Sequence, residues 1–370
     1  MSGRLELRRG VVISADPLVV EVGSERRPAW ADRVLLGEMR EGDEVVVNVA
    51  ALDLGLGSGG FDVVHVNLTR GLEATREGDQ HVIKLNYTSL QHAVEPVEGA
   101  EIEGPAAASA ESVREIRGRR GKGAPISGEG VPVLVLPLHG HLAPAAWAVS
   151  QAAGAAAGGE SAAFRVGYVQ TSGGALPGSL SRDVAELRER GLLAGHITAG
   201  PAYGGEHEAL STVGALDAAA GRLGWDAVLV GPGPGIIGSD TAFGHGGMAA
   251  LDSAHAALSL RLPTLISPRL SSADPRDRHR GLSHHTRTVL DLVLAPVDVA
   301  VPEPDEVAGA EEALAELQEA TALRHEIRRA RPDLDGYAAS GLPTTTMGRA
   351  LEEDPLFFAA PLAAGVLLAA

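Results

Sequence analysis

The chain contains no cysteine in its 370 residues. That excludes disulfides, thiol nucleophiles, iron–sulfur clusters and every cysteine-based zinc site. Lysine is confined to Lys84 and Lys122, although arginine is plentiful. Aromatic residues are only 3% of the chain, so the core has to be built from alanine, valine and leucine. Basic surplus is absent as well: the formal net charge is -17, whereas a nonspecific phosphate-backbone binder needs a basic surface. Nucleic acid is therefore not the expected partner. No apolar h-region follows Met1-Ser2-Gly3-Arg4, so no signal peptide is expected. The apolar tail from Leu356 to Ala370 is shorter than the ~20 residues of a bilayer span, and Pro361 interrupts it. The expectation is a cytoplasmic protein without a membrane partner, its tail a buried helix.

At the usual ~150 residues per domain the length suggests two or three domains. Residues 1–94 read as short strands with turn signals, such as Gly10-Val11-Val12-Ile13 before Asp16-Pro17 and Glu44-Val45-Val46-Val47 after a charged turn. That spacing predicts a small β-barrel-like domain. Periodicity disappears over 95–130, where glycine, alanine and alternating charge predict a linker. Over 131–304 apolar runs alternate with helical patterns, which predicts a Rossmann-like α/β domain with a parallel sheet. Residues 305–370 are expected to form a helical C-terminal extension, opening with a helix over about 308–329 whose acidic start and basic end suit the helix dipole.

Each central apolar run stops in a polar loop. Val133–Leu136 leads to His139-Gly140-His141, Val166–Val169 to Thr171-Ser172-Gly173-Gly174, Ala227–Val230 to a glycine-rich stretch, and Pro263–Ile266 to a segment ending Ser283-His284-His285. If the strands are parallel, these loops share one edge, where open α/β sheets bind ligands. The stretch from Gly231 to Gly247 lies between a strand and a helix, and its glycines let a ligand approach the backbone while helix-start amides favour an anion. Gly231, Gly233, Gly235, Gly238, Ser239 and Thr241 are the candidate contacts there. It is not a dinucleotide fingerprint, since proline sits where the tight turn needs freedom, and no Gly-Lys-Ser/Thr marks a P-loop. A plain connecting loop is the competing reading.

In the segment from Arg269 to Thr286, Arg269 could pair with a carboxylate or phosphate in a bidentate fork, and Ser283 is positioned to cap the following helix. His285 or His245 is the candidate general acid or base, because imidazole titrates near neutral pH. Asp240 or Asp274 is the candidate to orient it. Adjacent residues lie ~100° apart on a helix, so only one of His284 and His285 is expected to face the site. His139 and His141 would point the same way in extended geometry and could share a metal with His245, His285 and a carboxylate. No Gly-x-Ser-x-Gly elbow of an α/β-hydrolase is present.

Leu85 to Gln91, Leu138 to His141, Gly231 to Gly238, Leu282 to Thr286, Thr345 to Arg349 and Asp354 to Phe358 together resemble an uncharacterised domain-of-unknown-function family of actinobacteria and firmicutes, over nearly the whole chain. The resemblance implies a bacterial, cytoplasmic protein and brings no reaction and no cofactor with it. The leading expectation from the residues is an enzyme, or an enzyme-like protein, binding a small anionic molecule that carries phosphate or carboxylate. One alternative is a module contacting RNA or protein through the N-terminal β-domain, which holds Arg4, Arg8, Arg9, Arg26 and Arg27. Another is a metal-dependent hydrolase using the histidines.

Overall fold

The computed structural model describes residues 4–55, 59–72, 80, 82–98, 130–156, 164–239, 241–321 and 324–370. The chain divides into two compact units, Met1–Gln80 and His81–Ala370.

In the first unit β1 (Leu7–Ala15), β2 (Leu18–Val22), β3 (Glu25–Trp30), β4 (Glu44–Asn48) and β5 (Asp62–Asn67) close into a barrel in the order β1-β2-β3-β5-β4. Neighbours run antiparallel except β3 and β5, which are parallel. Side chains alternate across a strand, so Val45 and Val47 of β4 enter the interior with Val12, Val20 and Val64. Short helices α1 (Arg33–Leu36) and α2 (Ala50–Asp53) flank β4. Arg27, one of the basic residues of this stretch, is tied to Asp62 at 2.5 Å, Asp53 at 2.6 Å and Glu25 at 3.1 Å. It is a structural ion pair of the barrel.

The second unit opens with the antiparallel pair β6 (Val82–Lys84) and β7 (His92–Val94), which lies with this unit and not with the barrel. Then follow β8 (Val133–Val135), α3 (Leu142–Ala156), β9 (Val166–Thr171), α4 (Arg182–Glu189), β10 (His196–Ala199), β11 (His207–Ala209) and α5 (Thr212–Gly221). The chain continues through β12 (Ala227–Pro232), α6 (Ala249–Ser259), β13 (Thr264–Ile266), β14 (Leu270–Ser271), β15 (Gly281–Leu282), α7 (His284–Leu292) and β16 (Asp298–Pro302). It ends with α8 (Ala310–Thr321), β17 (Glu326–Ala330), α9 (Leu334–Ala339), β18 (Thr345–Thr346), β19 (Arg349–Ala350) and α10 (Pro355–Leu368). Eight strands form one parallel sheet in the order β11-β10-β9-β12-β8-β13-β16-β17. β8, β9, β10 and β12 are buried along their whole length, because helices cover both faces of the sheet. One face packs on α5, α6, α7 and α8, the other on α3, α4 and α9.

The tail differs from its sequence reading. The helix expected over 308–329 ends at Thr321, and Glu326–Ala330 is a strand paired with β16 at the sheet edge. Ile327 fits the helical period equally well, so periodicity alone does not separate the two states. Arg328 binds Asp298 and Glu326 along that edge, and charge of this kind blocks further strand addition. α10 is buried from Leu356 to Gly365 and joins both cores. At Gly365 a Cβ would lie 2.5 Å from the Ala145 carbonyl oxygen, so only glycine lets α10 approach α3 this closely. Among the described residues no helix is long and apolar enough to cross a membrane.

Candidate functional site

β9 and β12 are hydrogen-bonded neighbours, yet they lead to opposite faces: α4 buries Val184 and Leu187 in one core, and α6 buries Ala250, Ala254 and Ala257 in the other. Their carboxyl ends therefore form a topological switch point. The loops leaving them are stitched together. Ala175 N donates to the Pro234 carbonyl at 2.7 Å. A Cβ on Gly174 would lie 2.1 Å from the Gly233 oxygen, and one on Gly246 would lie 2.1 Å from the Gly173 oxygen.

Within the Gly231–Gly247 stretch the described residues from Ile237 to Gly246 pair as a hairpin, so several of the amides its composition offers are already bonded. Ser239 N donates to Gly244 O and Gly246 N to Ile237 O, both at 2.7 Å, while Gly244 N donates to Thr241 Oγ1 at 3.1 Å. Ser239 and Thr241 share a hydroxyl–hydroxyl bond of 2.8 Å. Gly231 abuts Leu136, Gly238 abuts His245, and Gly235 turns the chain at φ 76°. The hairpin presents Ile237 and Phe243 to solvent. Asp240 lies outside the described residues. Gly246→Ala is expected to push the two loops apart and destabilise the second unit by roughly 1–3 kcal/mol; a unit that unfolds at the wild-type urea midpoint would remove the stitching role.

The hairpin delivers His245 to the start of α6, and α7 begins beside it with Ser283 as N-cap, its Oγ accepting from His285 N. The rings of His245 and His285 stack at 3.7 Å with planes 7° apart. His284 lies 4.4 Å from His285 and 5.4 Å from His245, and His279 lies 4.8 Å from His285. Both histidines of the pair 284/285 thus face the site, contrary to the helical-wheel expectation, because His245 and His279 arrive from different loops and span the arc between them. His279 Nδ1 bonds Ser283 Oγ at 2.7 Å. Burial is the main cause that lowers these imidazoles: His285 to about 2 and His279 to about 3, with the Arg269 charge and the neighbouring rings adding to it. His245 is also lowered, by burial and then by Arg269.

One ring nitrogen from each of His245, His284 and His285 lies within 4.8 Å of the others. A bound ion sits in the plane of each imidazole at ~2 Å from nitrogen. Two rings stacked almost in parallel do not point their lone pairs at one ion. No carboxylate belongs to the group among the described residues, and Arg269 opposes a cation. As arranged, these histidines do not fit a metal.

Arg269 follows β13 and is 5% exposed. Its Nη2 reaches Asp274 at 3.2 Å; Arg276 donates to the same carboxylate twice at 2.9 Å, and Arg349 lies 3.5 Å away. Burial alone would raise the Asp274 carboxyl, but the bonds from Arg276 and the charges of Arg276 and Arg269 hold it well below the usual carboxylate range. Asp274 therefore anchors arginines and does not orient a histidine. Arg349, on β19, also binds Asp354 at 3.0 Å, and Asp354 accepts from Ser271 Oγ at 2.6 Å and Ser272 N at 2.8 Å. Three guanidinium groups thus meet two carboxylates, and the excess is positive. Met347 Sδ lies 3.7 Å from Nη2 of both Arg269 and Arg276.

Among the described residues, Arg269 Nε, His245 Nδ1 and His141 Nε2 are buried without a hydrogen-bond partner. The Arg269 charge acts on both of these histidines, and the three atoms come from three different loops. Buried polar atoms are rarely left unpaired. His139 and His141, expected to share a metal, lie in a 3-10 turn that sends their rings to different neighbours. His139 Nε2 bonds Ser181 Oγ at 2.7 Å, and His141 Nδ1 bonds Ser267 Oγ at 2.9 Å.

A family model described as protein of unknown function (DUF3866) matches residues 29–365. The chain belongs to this family. Neither a curated protein nor a solved structure matches it. The matched span of this DUF3866 member includes every site residue from His139 to Asp354. Beyond the candidate site residues named from its sequence, the structure brings in His279, Arg276, Arg349, Met347 and Asp354. The motifs around Thr345–Arg349 and Asp354–Phe358 are visible in the sequence; their partners, some 80 positions upstream, are not.

Proposed function

We propose that this protein binds a small molecule bearing phosphate or carboxylate at the carboxyl edge of its parallel sheet, with Arg269 as the charge partner and His245 and His285 as the proton-carrying groups. The observation that carries this reading is a set of buried, unpartnered atoms, Arg269 Nε, His245 Nδ1 and His141 Nε2, on which the Arg269 charge bears. α6 and α7 both begin at the cluster, and helix starts favour negative charge. The nearby carboxylates, Asp274 and Asp354, are already bound by arginine. Imidazoles that are uncharged in the free protein and lie beside an oxyanion site can take up or give a proton when the anion binds, so the reaction class that fits is proton transfer to or from the bound anion.

The test is calorimetry with phosphate, sulfate and small carboxylates on the full chain. We expect saturable binding of at least one of them. Arg269→Ala and His285→Ala should each weaken it roughly tenfold to a hundredfold, as loss of a charged hydrogen bond does, while the far-UV spectrum is kept. Absence of binding by all of these anions would end the reading. Stoichiometric divalent metal in the dialysed protein, lost on substituting His245 and His284, would replace it with a metal centre.

A further inference from the structure

We infer that the site takes its ligand as an acid: each anion bound at Arg269 brings one proton, held on Nδ1 of His245 in its stack with His285. This rests on the anion reading above and adds the ligand's chemical class, the weak oxyacids.

The argument starts from one hydrogen bond. His245 Nε2 lies 2.9 Å from the Ala242 carbonyl oxygen. A carbonyl can only accept, so Nε2 carries the hydrogen of the neutral ring, and Nδ1 is left as a bare lone pair. That lone pair is buried and has no donor partner among the described residues. An oxyanion is also an acceptor and cannot bond to it. The two become compatible only when Nδ1 gains a proton, after which His245 bridges the Ala242 carbonyl and the anion through its two N–H groups.

The surroundings limit uptake to one proton. His285 lies parallel to His245 at 3.7 Å, too close for both rings to carry charge. The Nδ1 atoms of the two rings flank Gly247, where a Cβ would fall 2.9 Å from one and 3.1 Å from the other. Glycine at 247 keeps a side chain from pressing on both Nδ1 atoms. The groups that bear on the pair are His284 from α7, and His279 and Arg269 from the segment after β13. Behind Arg269 stand Asp274, Arg276 and Arg349. Without ligand, Arg269 works against protonation. A bound anion cancels that charge and reverses its effect. The balance is simple: an acid gives its proton to Nδ1 and stays as the conjugate base between Nδ1–H and Arg269; an anion already ionised draws the proton from solvent.

Sulfate is the probe, because it does not titrate near neutral pH. Binding heats are measured for the full chain in Tris and in triethanolamine, whose ionisation enthalpies differ. We expect an uptake of about one proton per sulfate, with affinity falling roughly tenfold per pH unit above neutrality. His245→Gln should bind more weakly and with no proton uptake. Normal binding with equal heats in both buffers would overturn this inference and leave the anion site standing. Uptake that persists in His245→Gln would overturn the assignment to His245. If sulfate, phosphate and small carboxylates all fail to bind, the anion reading fails and this inference with it.

Discussion

Lowering the pH from 6.5 to 5 is expected to remove roughly 6 kcal/mol of stability from the second unit, enough to unfold a domain of ordinary stability. His141, His196 and His279 are pushed down to about 3 and His285 to about 2, in each case chiefly by burial. All four are less than a tenth exposed. In the folded chain they stay neutral throughout this range, whereas in the unfolded chain they protonate below ~6.5. The unfolded state therefore binds more protons as the pH falls. The stability is whole above pH 6.5, declines below it, and goes on declining until the folded values near 3 and 2 are reached. Urea midpoints at pH 7.5, 6.5, 5.5 and 5, followed by far-UV circular dichroism, measure this. A midpoint that does not move across the series would mean that the imidazoles are solvated or charged in the fold. Sulfate should shift the curve toward acid, because a bound anion removes the opposition of Arg269 to protonation.

The parallel sheet was legible because its central strands are buried on both sides and read as unbroken apolar runs between loops, as in Val133–Leu136 and Ala227–Val230. The edge that gathers the polar loops followed from parallelism alone. β17 was not legible, since Glu326–Ala330 at an edge has one half-buried isoleucine among charges and matches the period of a helix as well as that of a strand. The glycine stretch misled for a different reason. Composition shows that backbone amides are accessible, but only the folded hairpin shows that those of Ser239, Gly244 and Gly246 are already bonded. Arg269 was legible as a candidate because its guanidinium fork can pair with a carboxylate or phosphate. Its counter-charge was less visible, because three guanidinium groups from two distant segments share Asp274. Likewise the tautomer of His245 depends on a carbonyl three residues back, which is a property of the turn and not of residue type.

Asp274→Asn is expected to act on stability and binding with opposite signs. The carboxylate is fully buried and serves Arg269, Arg276 and Arg349. Asparagine keeps the shape, and its oxygen can still accept from Arg276 N, which lies 3.0 Å from Oδ1. It loses the charge. Arg269, 5% exposed, then has no full counter-ion, and breaking one partner of a buried ion pair costs about 3–5 kcal/mol. The unliganded protein should unfold at a lower urea concentration by that amount. The same change removes one of the two carboxylates among the three guanidinium groups and leaves Asp354 on Arg349, so the local potential becomes more positive and sulfate should bind about tenfold more tightly, a gain of about 1.4 kcal/mol. Sulfate at a hundred times its dissociation constant would then return about 2.7 kcal/mol, most of what the substitution removed. A purely structural role for Asp274 predicts something else: lower stability together with weaker binding, since a loosened loop holds no ligand. Arg276→Gln is the control, because that side chain is 41% exposed and its loss leaves Arg269 paired. It should cost less stability and weaken sulfate binding slightly. If Asp274→Asn binds sulfate more weakly than wild type, Asp274 acts by holding the loop that presents Arg269, and the gain in local positive charge does not govern binding.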